Sequence, residues 1–181
     1  MIDEYENYLV ELDNLVGLEN VKDMVGKTFK RLQIEKIRNP EASLAPGHYV
    51  FVGNPGTGKT TVARLMGKLF QSIGILKKGH TVEARRADLV AEFMGQTVAK
   101  TRKVLESAIG GVLFIDEAYS LVQGKQDQYG YEAAEEILAF MENRKSELSV
   151  IIAGYPEEIN KFFKTNPAFQ RRCNVPILFE N

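Results

Sequence analysis

The sequence predicts an α/β protein in which a parallel sheet lies between helices. Three observations predict it. Apolar runs of strand length alternate with amphipathic stretches of helix length, and the runs are apolar nearly throughout, as in strands covered on both faces. One run, His48 to Val52, passes through a glycine-rich loop into a helical stretch from Lys59 to Phe70. Another, Val112 to Ile115, closes on the paired acids Asp116 and Glu117. Ligands of such sheets collect beyond the carboxyl ends of the strands, where the loop and the acids both fall.

Residues 1–15 place Tyr5, Tyr8, Leu9, Leu12 and Leu15 at helical spacing, an N-terminal amphipathic helix that must dock on something. Gly17 interrupts "LVGLENVK" before a second helix that runs to about Arg38, with Val21, Met24, Val25, Phe29 and Leu32 on its apolar stripe. Asn39-Pro40 and Ala45-Pro46-Gly47 punctuate the approach to the first strand. Beyond the Lys59 helix, "SIG" and "KKG" turn the chain into a short strand, His80 to Ala84. Two helical pieces follow, Arg86 to about Glu92 and Thr97 to about Ile109, separated by "FMGQ". Gly110-Gly111 then turns into the Val112 strand. Gln123 to Gly130 reads as an exposed polar loop, and Glu132 to Arg144 as a helix with Ala134, Ile137, Leu138 and Met141 inward. Leu148 to Tyr155 is another buried strand, and Pro156 is placed to open the helix after it. The tail reads as a loop bearing Arg171 and Arg172, then a last strand, Val175 to Phe179.

The 181 residues suffice for one domain with a substantial core. Twenty-three basic residues against 24 acidic ones leave a net charge of −1, which argues against a nucleic-acid groove or an anionic membrane surface as the main partner. Cys173 is the single cysteine, so neither an internal disulfide nor a thiolate metal cluster is expected. No apolar run approaches membrane-spanning length, and "MIDEYENY" is acidic where a signal peptide is basic, so the expectation is a soluble cytoplasmic chain.

The stretch "VFVGNPGTGKTT" fits Gly-x-x-x-x-Gly-Lys-Thr from Gly53 to Thr60, between a strand and a helix. That context makes a pattern match into a phosphate site: glycine lets successive amides turn inward, and the helix N-terminus adds partial positive charge. Asn54, Pro55, Gly56, Thr57 and Gly58 form the loop. Lys59 is expected to reach the β- and γ-phosphates of ATP, Thr60 to place its hydroxyl on Mg²⁺, and Thr61 to approach the α-phosphate. Asp116, closing its strand, is expected to help hold the Mg²⁺. Alternation along that strand turns Glu117 to another face, where it is placed to activate a water. The pair favours hydrolysis over simple retention of nucleotide; two solvated strand-end acids are the structural alternative.

"GNPGTGKTT", "GVLFIDEAY" and the "LVGLENVK" lead-in together resemble an AAA+ ATPase, in particular the group of the red-type Rubisco activase and stage V sporulation protein K. The likeness runs from about Leu15 to the end, so residues 16–181 are expected to form the nucleotide-binding subdomain. It implies a P-loop NTPase fold with a five-stranded parallel sheet, assembly with itself into a ring (usually six subunits), and ATP-driven remodelling of a client protein. By the same resemblance Arg172, in "NPAFQRR", matches the arginine that reaches a neighbour's γ-phosphate, with Arg171 the other candidate and two solvated charges the bland alternative. A subunit on its own is then expected to hydrolyse slowly. Phe93-Met94-Gly95 matches the loop lining the ring's pore, against a core role for Phe93. Gln123 to Gly130 is a candidate second pore loop, and Gly17 and Leu18 match residues that pack on the adenine. The family's helical lid has no counterpart before Asn181, so the chain is a fragment or a lid comes from elsewhere. Ala153-Gly154-Tyr155 replaces the polar strand end found in many relatives. A small-molecule kinase, a DNA-handling AAA+ module and a nucleotide-regulated scaffold are the competing readings.

Overall fold

The computed structural model describes residues 2–181. Its sheet has five strands: β1 (Tyr49–Gly53), β2 (Thr81–Ala84), β3 (Val112–Ile115), β4 (Ser149–Gly154) and β5 (Val175–Phe179). They pair in the order β2-β3-β4-β1-β5, every pair parallel. Successive residues of a strand face opposite sides. Tyr49 and Phe51 of β1 therefore enter one core, while Val50 between them enters the other. β3 and β4 are buried throughout, which is why they read as unbroken apolar runs. The edges are marked differently: Glu83 of β2 is exposed and paired with Arg64, and β5 carries Pro176, whose missing N–H is tolerated on a strand with one neighbour.

One face of the sheet carries α1 (Ile2–Asp13), α2 (Glu19–Arg38) and α3 (Lys59–Ser72). The other carries α4 (Arg86–Leu89), α5 (Thr97–Ala108), α6 (Gln128–Asn143), α7 (Pro156–Thr165) and α8 (Pro167–Arg172). The N-terminal helix docks chiefly on α3: Tyr5 and Leu12 join the same core as Leu69 and Phe70, and the Lys68 ammonium lies 5.6 Å from the centre of the Tyr8 ring. Among the described residues, no helix is long and apolar enough to cross a membrane.

Most boundaries fall within two residues of the sequence reading; three departures are larger, each for a local reason. The first helical piece after β2 stops at Leu89, well before Glu92, because α5 side chains satisfy the backbone beyond it. Thr101 donates to the Leu89 carbonyl (2.7 Å), and the Thr97 hydroxyl accepts from the Ala91 amide (3.2 Å). α6 starts at Gln128, inside the expected loop of residues 123–130, because the Asp127 carboxylate caps it by accepting from the Gly130 amide (3.0 Å). Gly130 reads as a turn residue, yet a side chain there would collide with Asp127 and the Leu121 carbonyl. The tail expected as a loop contains α8, opened by Pro167 at its first position.

Candidate active site

The glycine loop leaves the tip of β1, and each of its glycines answers a separate demand. Gly53 lies against β5: a Cβ there would sit 2.6 Å from the Phe179 carbonyl oxygen. Gly56 and Gly58 take left-handed φ of +74° and +91°, and around Gly56 nothing lies within 4 Å of where a side chain would start. That opening is the concave side of the loop. Gly58 immediately precedes α3, so the first amides of a 14-residue helix point to the same place without intrahelical acceptors. The loop closes on itself through Thr57, whose hydroxyl donates to the Asn54 carbonyl (2.7 Å). Lys59 folds back across it, its Nζ donating to the carbonyls of Gly53 (2.9 Å) and Asn54 (2.7 Å). Burial lowers the Lys59 pKa, and the Asp116 carboxylate opposes that shift.

β4 lies between β1 and β3, so the loop and the acidic pair face each other across one strand. They share a cavity of about 520 Å³ with Gly56, Gly58, Lys59, Thr60, Thr61, Asp116 and Glu117 on its wall, and with Gly154 and Tyr155 from the tip of β4. The sequence placed both acids at a strand end, but face alternation is not what parts them. β3 ends at Ile115, and Glu117 adopts a left-handed conformation (φ +51°, ψ +48°) that turns its exposed side chain out of the strand direction. A non-glycine residue there carries a backbone cost of order ~1 kcal/mol. The 3₁₀ turn Ala118–Ser120 holds it: the Ser120 amide (2.9 Å) and hydroxyl (2.7 Å) both donate to the Glu117 carbonyl.

The segment after Glu117 is fixed from α4. Arg86 donates to the carbonyls of Ser120 (3.2 Å) and Leu121 (2.8 Å) and forks onto the Asp127 carboxylate. Asp127 also accepts from the amides of Gln123 (2.7 Å) and Gly130 (3.0 Å). These bonds, those from Arg86 above all, hold the Asp127 pKa down to about 2. Residue-by-residue reading missed this clamp, whose partners are 41 positions apart. It also missed Arg85, which follows β2 and lines the cavity with Asp116. The strand-tip rule that found the acids also points to Arg85.

A second cavity, of about 540 Å³, opens on the other side of the loop, bounded by Val16, Gly17, Leu18, Pro55, Gly56 and Thr57, with Glu180 and Asn181 opposite. Leu18 (φ +60°) brings its Cδ1 within 3.5 Å of where a Gly58 side chain would begin, so it packs on the glycine loop. Asn54 donates to the Asn181 side chain (3.1 Å) and lines neither cavity. Phe93 and Met94 stand on a bend, 65% and 85% exposed, with Gly95 at φ +79°. Arg172 is half-buried and lies 3.6 Å from Glu142 of α6, its Nε without a partner among the described residues; Arg171 is exposed. None of these five lines either cavity.

The residues fit a magnesium-bound nucleoside triphosphate. A loop whose open side a Cβ would fill, an ammonium and a helix N-terminus supply the anion site. The Thr60 hydroxyl and the Asp116 carboxylate are hard oxygen donors on one wall, which suits a cation that keeps waters and takes phosphate oxygens for the rest.

Residues 49–181 match the family described as "ATPase family associated with various cellular activities (AAA)". The chain is similar to stage V sporulation protein K of Bacillus subtilis (strain 168), at 44% identity over 173 residues, 93% of this chain and 53% of the relative. It is 46% identical over 177 residues to protein CbbX of Cereibacter sphaeroides, covering 94% of this chain and 57% of the other. With the chloroplastic ribulose bisphosphate carboxylase/oxygenase activase of Cyanidioschyzon merolae (strain NIES-3377 / 10D) the identity is 41% over 174 residues, 93% of this chain and 59% of the activase. The chain thus spans somewhat more than half the length of these curated relatives.

Proposed function

We propose, from the premise that this chain belongs to the AAA family of ATPases, that it binds ATP with Mg²⁺ and hydrolyses it to ADP and phosphate while remodelling a protein partner. The observation that carries the reading is the shared lining of one cavity, where Lys59 and Thr60 at the start of α3 meet Asp116 and Glu117 just past the end of β3. Loop amides and Lys59 bind and orient the phosphates, and Thr60 and Asp116 would hold Mg²⁺, which would supply neutralising positive charge to the phosphates. Glu117, turned out of β3 into the cavity, accepts a proton from the attacking water. Gly17 and Leu18 back the adenine from the second cavity.

Lys59 is the only cation that this reading assigns to the phosphates from within one chain. Arg172, or its exposed neighbour Arg171, supplies a further positive charge to the next subunit of a ring, a contribution worth ~10³ to 10⁵ in rate in comparable ATPases. The exposure of Phe93 and Met94, apolar residues beside Gly95, supports a role for them in gripping a client segment. The relatives' names differ, one a sporulation protein and one an activase of ribulose bisphosphate carboxylase/oxygenase, so the client here is specified only as a protein.

The test is Glu117→Gln. It should retain ATP binding and lose turnover by at least ~10². Turnover kept within a few-fold of wild type would remove Glu117 from the chemistry and, with it, the hydrolytic reading of the pair.

A further inference from the structure

The cavity holds a second cation for which the mechanism above has no use. Arg85 lies just beyond β2, and its Nη2 is 3.3 Å from Oδ2 of Asp116, the carboxylate assigned to the metal. The other oxygen of Asp116 accepts from the Glu117 amide (2.9 Å), so each carboxylate oxygen already has a donor. The base of Arg85 is anchored: its amide donates to the Asp88 carboxylate (2.9 Å), and its carbonyl accepts from the Asp88 amide (3.0 Å). Its side chain is 62% exposed, so the guanidinium can swing on a fixed stem. The space open to it is the cavity it lines with Lys59 and Thr60.

We propose that Arg85 pairs with Asp116 in the empty site, swings onto the triphosphate of metal-free ATP, and gives up Asp116 to Mg²⁺ when the metal is present, so that it sets how strongly nucleotide binding depends on the metal. This rests on the reading of the cavity as an Mg²⁺-ATP site. Lys59 and Arg85 balance Asp116 and Glu117 in charge; a divalent cation arriving at Asp116 must first dislodge one monovalent cation. The guanidinium is a planar fork suited to phosphate oxygens and gains a stronger anion when it leaves the carboxylate. Metal-free ATP, with its larger negative charge, then finds two cations in the cavity. Magnesium-bound ATP needs the second one less, since the metal already neutralises its phosphates. The chain therefore tolerates metal-free nucleotide better than Lys59 alone would allow.

The experiment is equilibrium binding of a fluorescent ATP analogue to wild type, Arg85→Ala, Arg85→Lys and Arg85→Glu, in excess Mg²⁺ and in a chelator, with a Mg²⁺ titration between. The readout is the ratio of the two dissociation constants. Loss of one partly solvated charge next to the phosphates should raise that ratio roughly tenfold in Arg85→Ala. In that variant the Mg²⁺ midpoint should fall ~2- to 5-fold. Arg85→Glu, which adds a carboxylate beside Asp116, should raise the ratio further, and Arg85→Lys should stay near wild type. Ratios unchanged in both Arg85→Ala and Arg85→Glu would overturn the proposal and leave Arg85 a solvated charge. Wild type that binds the analogue in neither condition would instead overturn the nucleotide reading on which it stands.

Discussion

Replacing Asp127 by Asn tests whether the clamp below the acidic pair is as strong as its geometry implies. The Asp127 carboxylate is 10% exposed and accepts from the Arg86 guanidinium and two amides. Its pKa falls from 3.8 to about 2 in the folded chain. At ~1.36 kcal/mol per pKa unit, ionised Asp127 contributes about 2 kcal/mol, or ~4–8 °C in Tm for a chain of this length. The folded pKa lies below the unfolded one, so this stability is present in full above pH 4 and drains away as pH falls toward 2. Urea unfolding should therefore show Asp127→Asn about 2 kcal/mol less stable than wild type at pH 7 and pH 5, with the gap roughly halved at pH 3. Protonated wild type and the amide variant converge because each leaves Arg86 facing a neutral partner. A gap under ~0.5 kcal/mol at pH 7, or one that stays constant down to pH 3, would refute the reasoning.

Two further outcomes concern residues placed outside the cavities. Arg172→Ala should bind nucleotide as wild type does while losing ~10³ or more of the turnover seen in the assembled protein, measured by ADP release at rising subunit concentration; Arg171→Ala, at the exposed neighbour, should lose far less. Phe93→Ala removes a side chain that is 65% exposed, so it should change Tm by no more than about 1 °C and spare ATP turnover while client remodelling is lost. A fall of several degrees in Tm would instead assign Phe93 a packing role.

The sheet and its contents were legible because their signals are local. Val112 to Ile115 is apolar on both faces of its strand, and the glycine loop announces both neighbours. The clamp was not legible, because Arg86 and Asp127 meet only once β2 and β3 pair and bring the start of α4 beside the segment after Glu117. The start of α6 was hidden for a related reason: Gly130 looks like a turn and serves as close packing against Leu121. α8 was missed because six residues carry too little periodicity to register as a helix. Glu117 was found for a reason that the structure replaces, since a left-handed residue rather than the pleat aims it. Arg85 stands at a strand tip, where the rule that marks the acids also applies, but it has no motif of its own, and its partner becomes visible only when the adjacent strand brings Asp116 beside it.

The insertion of β4 between β1 and β3 turns the sheet into a ruler. Two inter-strand steps of ~4.8 Å separate the loop-bearing tip from the acid-bearing tip, a span of about 10 Å that backbone ladders enforce and no side-chain substitution can retune. Whatever bridges those tips must match that fixed gauge, and the residues under its midpoint are Gly154 and Tyr155. At that midpoint a side chain in place of Gly154 would press on Ile159 and Tyr119 as well as on the bridged molecule.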